Sequence, residues 1–238
     1  MKQILILPVL LLLLHSCINR ETVHGNGNET TESRNTGSFK RVQLMGSMNV
    51  EIKKGSERAI EVSAEENLLP YIETKVEGDK LIVKFKDDVN IDADKDIVVK
   101  VATPALTEAS VMGSGDISGN GKFESDDKIE INVLGSGNVK MELDAPAIEA
   151  KATGSGDIDI SGNTKDATYI TMGSGNIKAG DLKAENMEAK TMGSGNISAF
   201  ASIKLKATIM GSGNISYKGG GAVTSNVHGS GSVSSVND

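Results

Sequence analysis

Gly113-Ser114-Gly115-Asp116-Ile117 decides the fold, because it returns. The pattern Gly-Ser-Gly-(Asn/Asp)-(Ile/Val) begins again at Gly135, Gly154, Gly173, Gly193 and Gly211, and in a poorer copy at Gly229. Successive first glycines are 22, 19, 19, 20, 18 and 18 residues apart. A fixed motif at a near-fixed period marks a repeat architecture whose units must stack to bury their apolar faces. Glycine recurs where φ is positive or where a Cβ has no room. Each pair, Gly113 and Gly115, Gly135 and Gly137, Gly154 and Gly156, Gly173 and Gly175, Gly193 and Gly195, Gly211 and Gly213, therefore marks a tight corner between strands. An isolated copy, Gly46-Ser47-Met48-Asn49-Val50, has Met48 in place of the second glycine and must turn differently or under more strain.

The residues around each corner alternate. Ile129, Ile131 and Val133 precede Gly135, and Leu205, Ala207 and Ile209 precede Gly211, with polar residues between. That is the period of two of a half-buried strand. After the corner, Ile117, Val139, Ile158, Ile177, Ile197, Ile215 and Val233 resume the inward row. Asp116, Asn138, Asp157, Asn176, Asn196 and Asn214 follow the second glycine in each copy, and stacked they form a polar ladder.

Met45, Met112, Met172, Met192 and Met210, with Leu134, immediately precede corner glycines. Two readings are open. The preferred one is that flexible thioethers fill an uneven corner of the lumen. The other is an exposed apolar stripe for a partner or for self-association, and strict alternation would place this row on the outer face.

Aromatic residues are 3 % of the chain, with no Trp, so the core is aliphatic, as suits a narrow lumen. Lys2, the apolar run Ile4–Leu14 and Leu14-His15-Ser16-Cys17 resemble a bacterial lipoprotein signal. Cys17 is the only cysteine. The resemblance implies cleavage after residue 16, lipidation of Cys17, and a membrane partner reached through the lipid. Residues 17–37 are polar and without periodicity, and are expected to form a flexible tether. Residues 38–238 form the head: a longer-stranded part over 38–104 and the repeats over 105–238. Leu68-Leu69-Pro70-Tyr71 is expected to be a short helical or irregular crossing, and residues 77–80 the turn of a hairpin. Nothing in the poor last copy is expected to cap its rung, so a second copy of the chain or tail residues would cover it.

The net charge of −7 argues against nucleic-acid partners. Asn90, Asp92, Asp94 and Asp96 alternate, but Ile97 and Thr103 stand where an EF-hand needs Gly and Glu, which leaves a solvated acidic loop and no metal. No cofactor motif completes itself. His24 and His228 have no plausible Ser or Cys partner, so no catalytic residues are assigned.

The lipoprotein signal, the strand-rich first third and the repeats together resemble the putative auto-transporter adhesin, head GIN domain family, over residues 39–232. The resemblance implies an all-β, right-handed, single-stranded parallel β-helix, without the catalytic residues of similar lyases. It implies a non-enzymatic, lipid-anchored protein of the outer membrane or cell surface. Cell adhesion or binding of a surface, host or polysaccharide ligand is expected. The alternatives are a carbohydrate-binding or degenerate polysaccharide-lyase-like β-helix, and a structural envelope module. A homo-oligomer is compatible with each.

Overall fold

The computed structural model describes residues 21–56 and 60–236. The lipoprotein signal and Cys17 lie outside the described residues.

Eight corner glycines stack in register: Gly46, Gly113, Gly135, Gly154, Gly173, Gly193, Gly211 and Gly229. Two parallel walls run along the stack, making a β-solenoid. The residues before each corner form one wall, from Lys80–Phe85 through Arg41–Gly46, Glu108–Gly113 and Ile129–Gly135 to Ala222–Gly229. Those after each corner form the other, from Val98–Thr103 through Asn49–Lys54 and Ile117–Glu124 to Val233–Ser235. A one-residue slip would turn every apolar side chain outward, so the glycine register and the core fix each other. Variation in repeat length is absorbed away from the corners, where the register shifts between Asp159 and Ser161 and between Lys178 and Ala184.

The lumen holds Val42, Leu44, Ala109, Val111, Ile131, Val133, Ala150, Ala152, Ala189, Ala207 and Ile209, all essentially inaccessible. Each fully buried Ile or Val contributes about 1.5–3 kcal/mol. Tyr169 fits because Ala150 and Ala189 flank it in register. Two buried threonines satisfy each other: Thr171 Oγ1 donates to Thr191 Oγ1 at 2.7 Å, and Thr191 donates to the Gly195 carbonyl at 2.8 Å.

The first end of the stack is closed by antiparallel strands. Ile60–Glu65 lies against Val98–Thr103, and Ile72–Glu77 forms a hairpin with Lys80–Phe85. The crossing before that hairpin is a 3₁₀ turn, Leu69–Tyr71. The tether expected over residues 17–37 is corrected within residues 21–34. Glu21–His24 pairs with Val89–Asp92, and Glu29–Arg34 pairs antiparallel with Ile60–Glu65. Two side chains hold these strands. Arg34 donates to the carbonyls of Ile72 (2.6 Å) and Leu69 (2.8 Å) and to Glu32 (3.0 Å). Buried Glu65 accepts from the backbone N–H of Gly27 at 2.5 Å and of Asp94 at 2.9 Å. The acidic stretch is therefore partly a strand, with Asp92 bonded to His24 at 2.9 Å.

The Met48 corner is built like the others. Gly46 keeps a φ of +124° and the Met48 side chain is fully buried. On the next rung outward the chain leaves at Phe85 and rejoins at Ile97 by way of the strand Val89–Asp92, so no matching corner lies against the Met48 Cβ.

The last rung is open among the described residues. Ala222–Gly229 is exposed throughout, and its one described partner strand is Ile197–Gly211.

Candidate interaction surface

The corners tie each rung to the next. At each one, the carbonyl of the first glycine of one rung accepts two N–H groups from the next. Ser194 and Gly195 both donate to Gly173 O, at 2.8 and 3.0 Å, and Ser212 and Gly213 repeat this on Gly193 O. The same pairing runs back to Gly46 O, which accepts from Ser114 and Gly115 at 2.9 Å each. A Cβ on Gly193 would sit 2.4 Å from Gly173 O, and one on Gly195 would sit 2.1 Å from Gly175 O. Both glycines are required by closeness, and the first also by its φ of +126°.

Beside the glycines runs the polar ladder. Asn138 donates both its backbone N–H and its Nδ2 to Asp116 Oδ1, each at 2.8 Å. Asp157 N donates to Asn138 Oδ1, and Asn176 donates twice to Asp157 Oδ1 at 2.9 Å. Asn196, Asn214 and Ser232 continue the series. Burial alone would raise the Asp157 carboxyl, but hydrogen bonds from Lys178 and Asn176 outweigh it and hold it below the usual range.

On the outside of the same corners runs the methionine row. Met45, Met112, Leu134, Thr153, Met172, Met192, Met210 and His228 are successive register partners. They do not fill the lumen, and the preferred reading of this row is corrected. They stand on the outer face: Met45, Met172, Met210 and Leu134 are 36–48 % exposed, and Met112 and Met192 are partly covered. The reason is parity: Val133 points in, so Leu134 points out, and its register partners follow. The lumen methionines are Met48, Met141 and Met187.

Charged side chains flank the row. Glu108 accepts from Arg41 Nε at 2.7 Å and from Lys80 Nζ at 3.0 Å. Glu149 pairs with Lys128 and Lys151, whose hydrogen bonds hold its carboxyl below the usual range. The surface is an apolar stripe beside a band of mutually neutralising charges.

The grooves on the described surface are shallow and mixed in charge. One is lined by Asp159, Asp181, Lys178 and Tyr217, another by Asp87, Asp88, Lys84 and Lys86, a third by Asp166, Glu188, Lys204 and Lys206. None of these gathers three carboxylates around a lysine. No cluster of metal-binding side chains occurs among the described residues. Among these residues no helix is long and apolar enough to cross a membrane.

Residues 38–221 match the putative auto-transporter adhesin, head GIN domain family. The chain belongs to that family. Among curated proteins no sequence matches it. Solved structures do. A putative adhesin from Bacteroides fragilis NCTC 9343 superposes with a TM-score of 0.85 at 22 % identity, over 90 % of this chain and 100 % of that one. A putative lipid binding protein from Parabacteroides distasonis ATCC 8503 gives 0.74 at 27 %, over 91 % and 100 %. A putative adhesin from the same organism gives 0.70 at 28 %, again over 91 % and 100 %. The family match stops within the last rungs, at Gly221, just before the exposed strand Ala222–Gly229. The functional class these relatives support is a cell-surface protein.

Sequence reasoning missed three features: the Arg34 clamp, the Glu65 carboxylate and the orphan hydroxyl of Tyr169. The last is buried without a hydrogen-bond partner.

Proposed function

We propose that this chain is a non-enzymatic surface adhesin, held to the bacterial envelope by lipid on Cys17, and that it grips its ligand with the outer methionine row. The observation that carries the reading is that row: apolar side chains, four of them 36–48 % exposed, stacked in register along the outer face of one parallel wall. Thioethers are polarizable and adapt to varied partner surfaces, and a contiguous apolar stripe with a charged rim is what an interaction site presents. The carboxylate–lysine grooves support a polysaccharide-cleaving role poorly, since acid–base cleavage needs convergent carboxylates.

The test is an array of glycans and matrix proteins probed with the parent and with Met172→Glu/Met192→Glu. The paired change should abolish binding while leaving the circular dichroism of the fold intact, because both positions are solvent-facing. Equal binding by parent and variant would remove the row from the function. Release of unsaturated sugar products would overturn the non-enzymatic reading.

A second reading, lipid binding, draws on the same apolar row and on the lipid-binding description of the Parabacteroides relative. Flotation of the unlipidated Cys17→Ser chain with neutral phospholipid vesicles separates the two: an adhesin for glycan or protein, without its lipid, stays at the bottom of the gradient.

A further inference from the structure

The open end of the solenoid has three properties that occur together nowhere else in the described stack. Its last wall strand, Ala222–Gly229, pairs on one side with Ile197–Gly211 and with no described strand on the other. Its inward residues are uncovered: Val223 and Val227 are 39 % and 40 % exposed, while their register partners Leu205 and Ile209 are fully buried. And it carries no charge. Residues 219–237 contain no Asp, Glu, Lys or Arg, in a chain that is 24 % charged. Edge strands are ordinarily protected by lysine, proline, bulges or a covering element, and terminal repeats by a polar cap. The opposite end obeys that rule, closed by Ile60–Glu65 and Ile72–Glu77.

We propose that this end is an interface for a second copy of the same chain, stacked end to end through antiparallel pairing of Ala222–Gly229 with itself about Ser225. Directly opposed residues on antiparallel strands share a face. In the register centred on Ser225, Val223 of each copy opposes Val227 of the other, both pointing inward. Ser225 opposes Ser225, and the outward Thr224 opposes Asn226. The two lumens then continue one another, four half-exposed valines become buried, and the unpaired backbone groups find partners. A two-fold contact of this kind is closed, so it gives a dimer and not a fibre. The missing charge favours a second copy over a foreign strand, since like edges meet without repulsion and a charged peptide finds no complement. In the dimer His228, which continues the methionine row, opposes Ala222 of the other copy, so the two rows lie on the same outer face but are offset by six residues along the strand, roughly 20 Å.

Ser225→Cys tests the register, because a symmetric cysteine pair across antiparallel strands lies within disulfide reach, Cα atoms roughly 4.4–6.8 Å apart. The full chain would be expressed with its own leader and oxidised in the envelope fraction with copper phenanthroline under air. Ser225→Cys should give a reducible band at twice the parent mass. The parent, which carries Cys17 alone, and Ser118→Cys, exposed on a distant rung, should give none. Adding Val227→Lys sets an ammonium against the other copy's Val223 and should lower the cross-linked fraction at least tenfold, with strand content unchanged. The proposal is overturned by an absent cross-link at 225, by a cross-linked product whose mass shows a different protein on the edge, or by equal cross-linking at 118.

Discussion

Asn196 donates its backbone N–H and its side-chain Nδ2 to a single oxygen, Oδ1 of Asn176, both at 3.0 Å. Each Asn of the ladder can thus accept from one neighbouring rung and donate to the other. Asp can only accept, and its charge strengthens the bonds it receives. This explains why Asp116 and Asp157 are separated by Asn138 and followed by Asn176. Asn176→Asp should therefore destabilise the fold at neutral pH, by about 1–2 kcal/mol, through a lost donor and a carboxylate stacked on Asp157. The penalty should shrink as the pH is lowered toward 4. Urea midpoints at both pH values check this, and a variant as stable as the parent at pH 7 removes the ladder's energetic role.

Corner glycines and strand glycines should respond oppositely to a methyl group. Gly193 has a φ of +126° and its Cβ would lie 2.4 Å from Gly173 O. Gly180 has no such φ, and its Cβ would meet nothing closer than Ser198 Oγ at 3.9 Å. Gly193→Ala should cost about 1–3 kcal/mol in backbone strain alone, and more as the rungs separate. Gly180→Ala should be neutral or stabilising by up to about 1 kcal/mol. Thermal denaturation of the two variants side by side is the measurement.

What was legible in the sequence follows the same physics. The corners were readable because a carbonyl of the preceding rung forbids a Cβ at Gly115, Gly137, Gly156, Gly175, Gly195 and Gly213 alike. Repetition turned a local constraint into a pattern. The methionine row was misread because hydropathy and parity disagreed there, and parity decides which face a strand residue takes: Met141 is in the lumen and Met172 outside it. The strands at Glu21–His24 and Glu29–Arg34 were not legible, since what holds them is remote in sequence. Arg34 reaches Leu69 and Ile72, and Glu65 reaches Gly27 and Asp94. A polar stretch with no period of its own looks like a tether until those partners are known.

The buried phenol of Tyr169 makes a sign prediction. Its ring fills the lumen between Ala150 and Ala189, while its hydroxyl has no partner and burial pushes its pKa far up. Removing the ring leaves a cavity that two flanking alanines cannot fill, so Tyr169→Ala should cost about 3–5 kcal/mol. Removing only the oxygen relieves an unmet desolvation penalty. Tyr169→Phe should be as stable as the parent or better by about 1 kcal/mol. A loss of more than that in a chemical-denaturation midpoint would show that the hydroxyl has a partner after all.

Acid should unfold the solenoid through specific carboxylates. Hydrogen bonds from Lys128 and Lys151 lower Glu149 from its ordinary 4.5, and Lys122 lowers Asp144 from 3.8. For Asp157, burial pulls upward, but Lys178 and Asn176 prevail and it too lies below 3.8. A carboxyl whose folded pKa is depressed binds fewer protons folded than unfolded just below its ordinary value. Its contribution to stability is therefore fully present above that value and drains away as the pH falls through the folded one. Stability should be level from pH 7 to about 5 and decline below about 4.5. Glu149→Gln should be less stable than the parent at pH 7 and decline less steeply below 4.5, so the two curves converge in acid. Parallel curves for parent and Glu149→Gln, measured by denaturant midpoint across that range, would place the acid-sensitive bonds elsewhere.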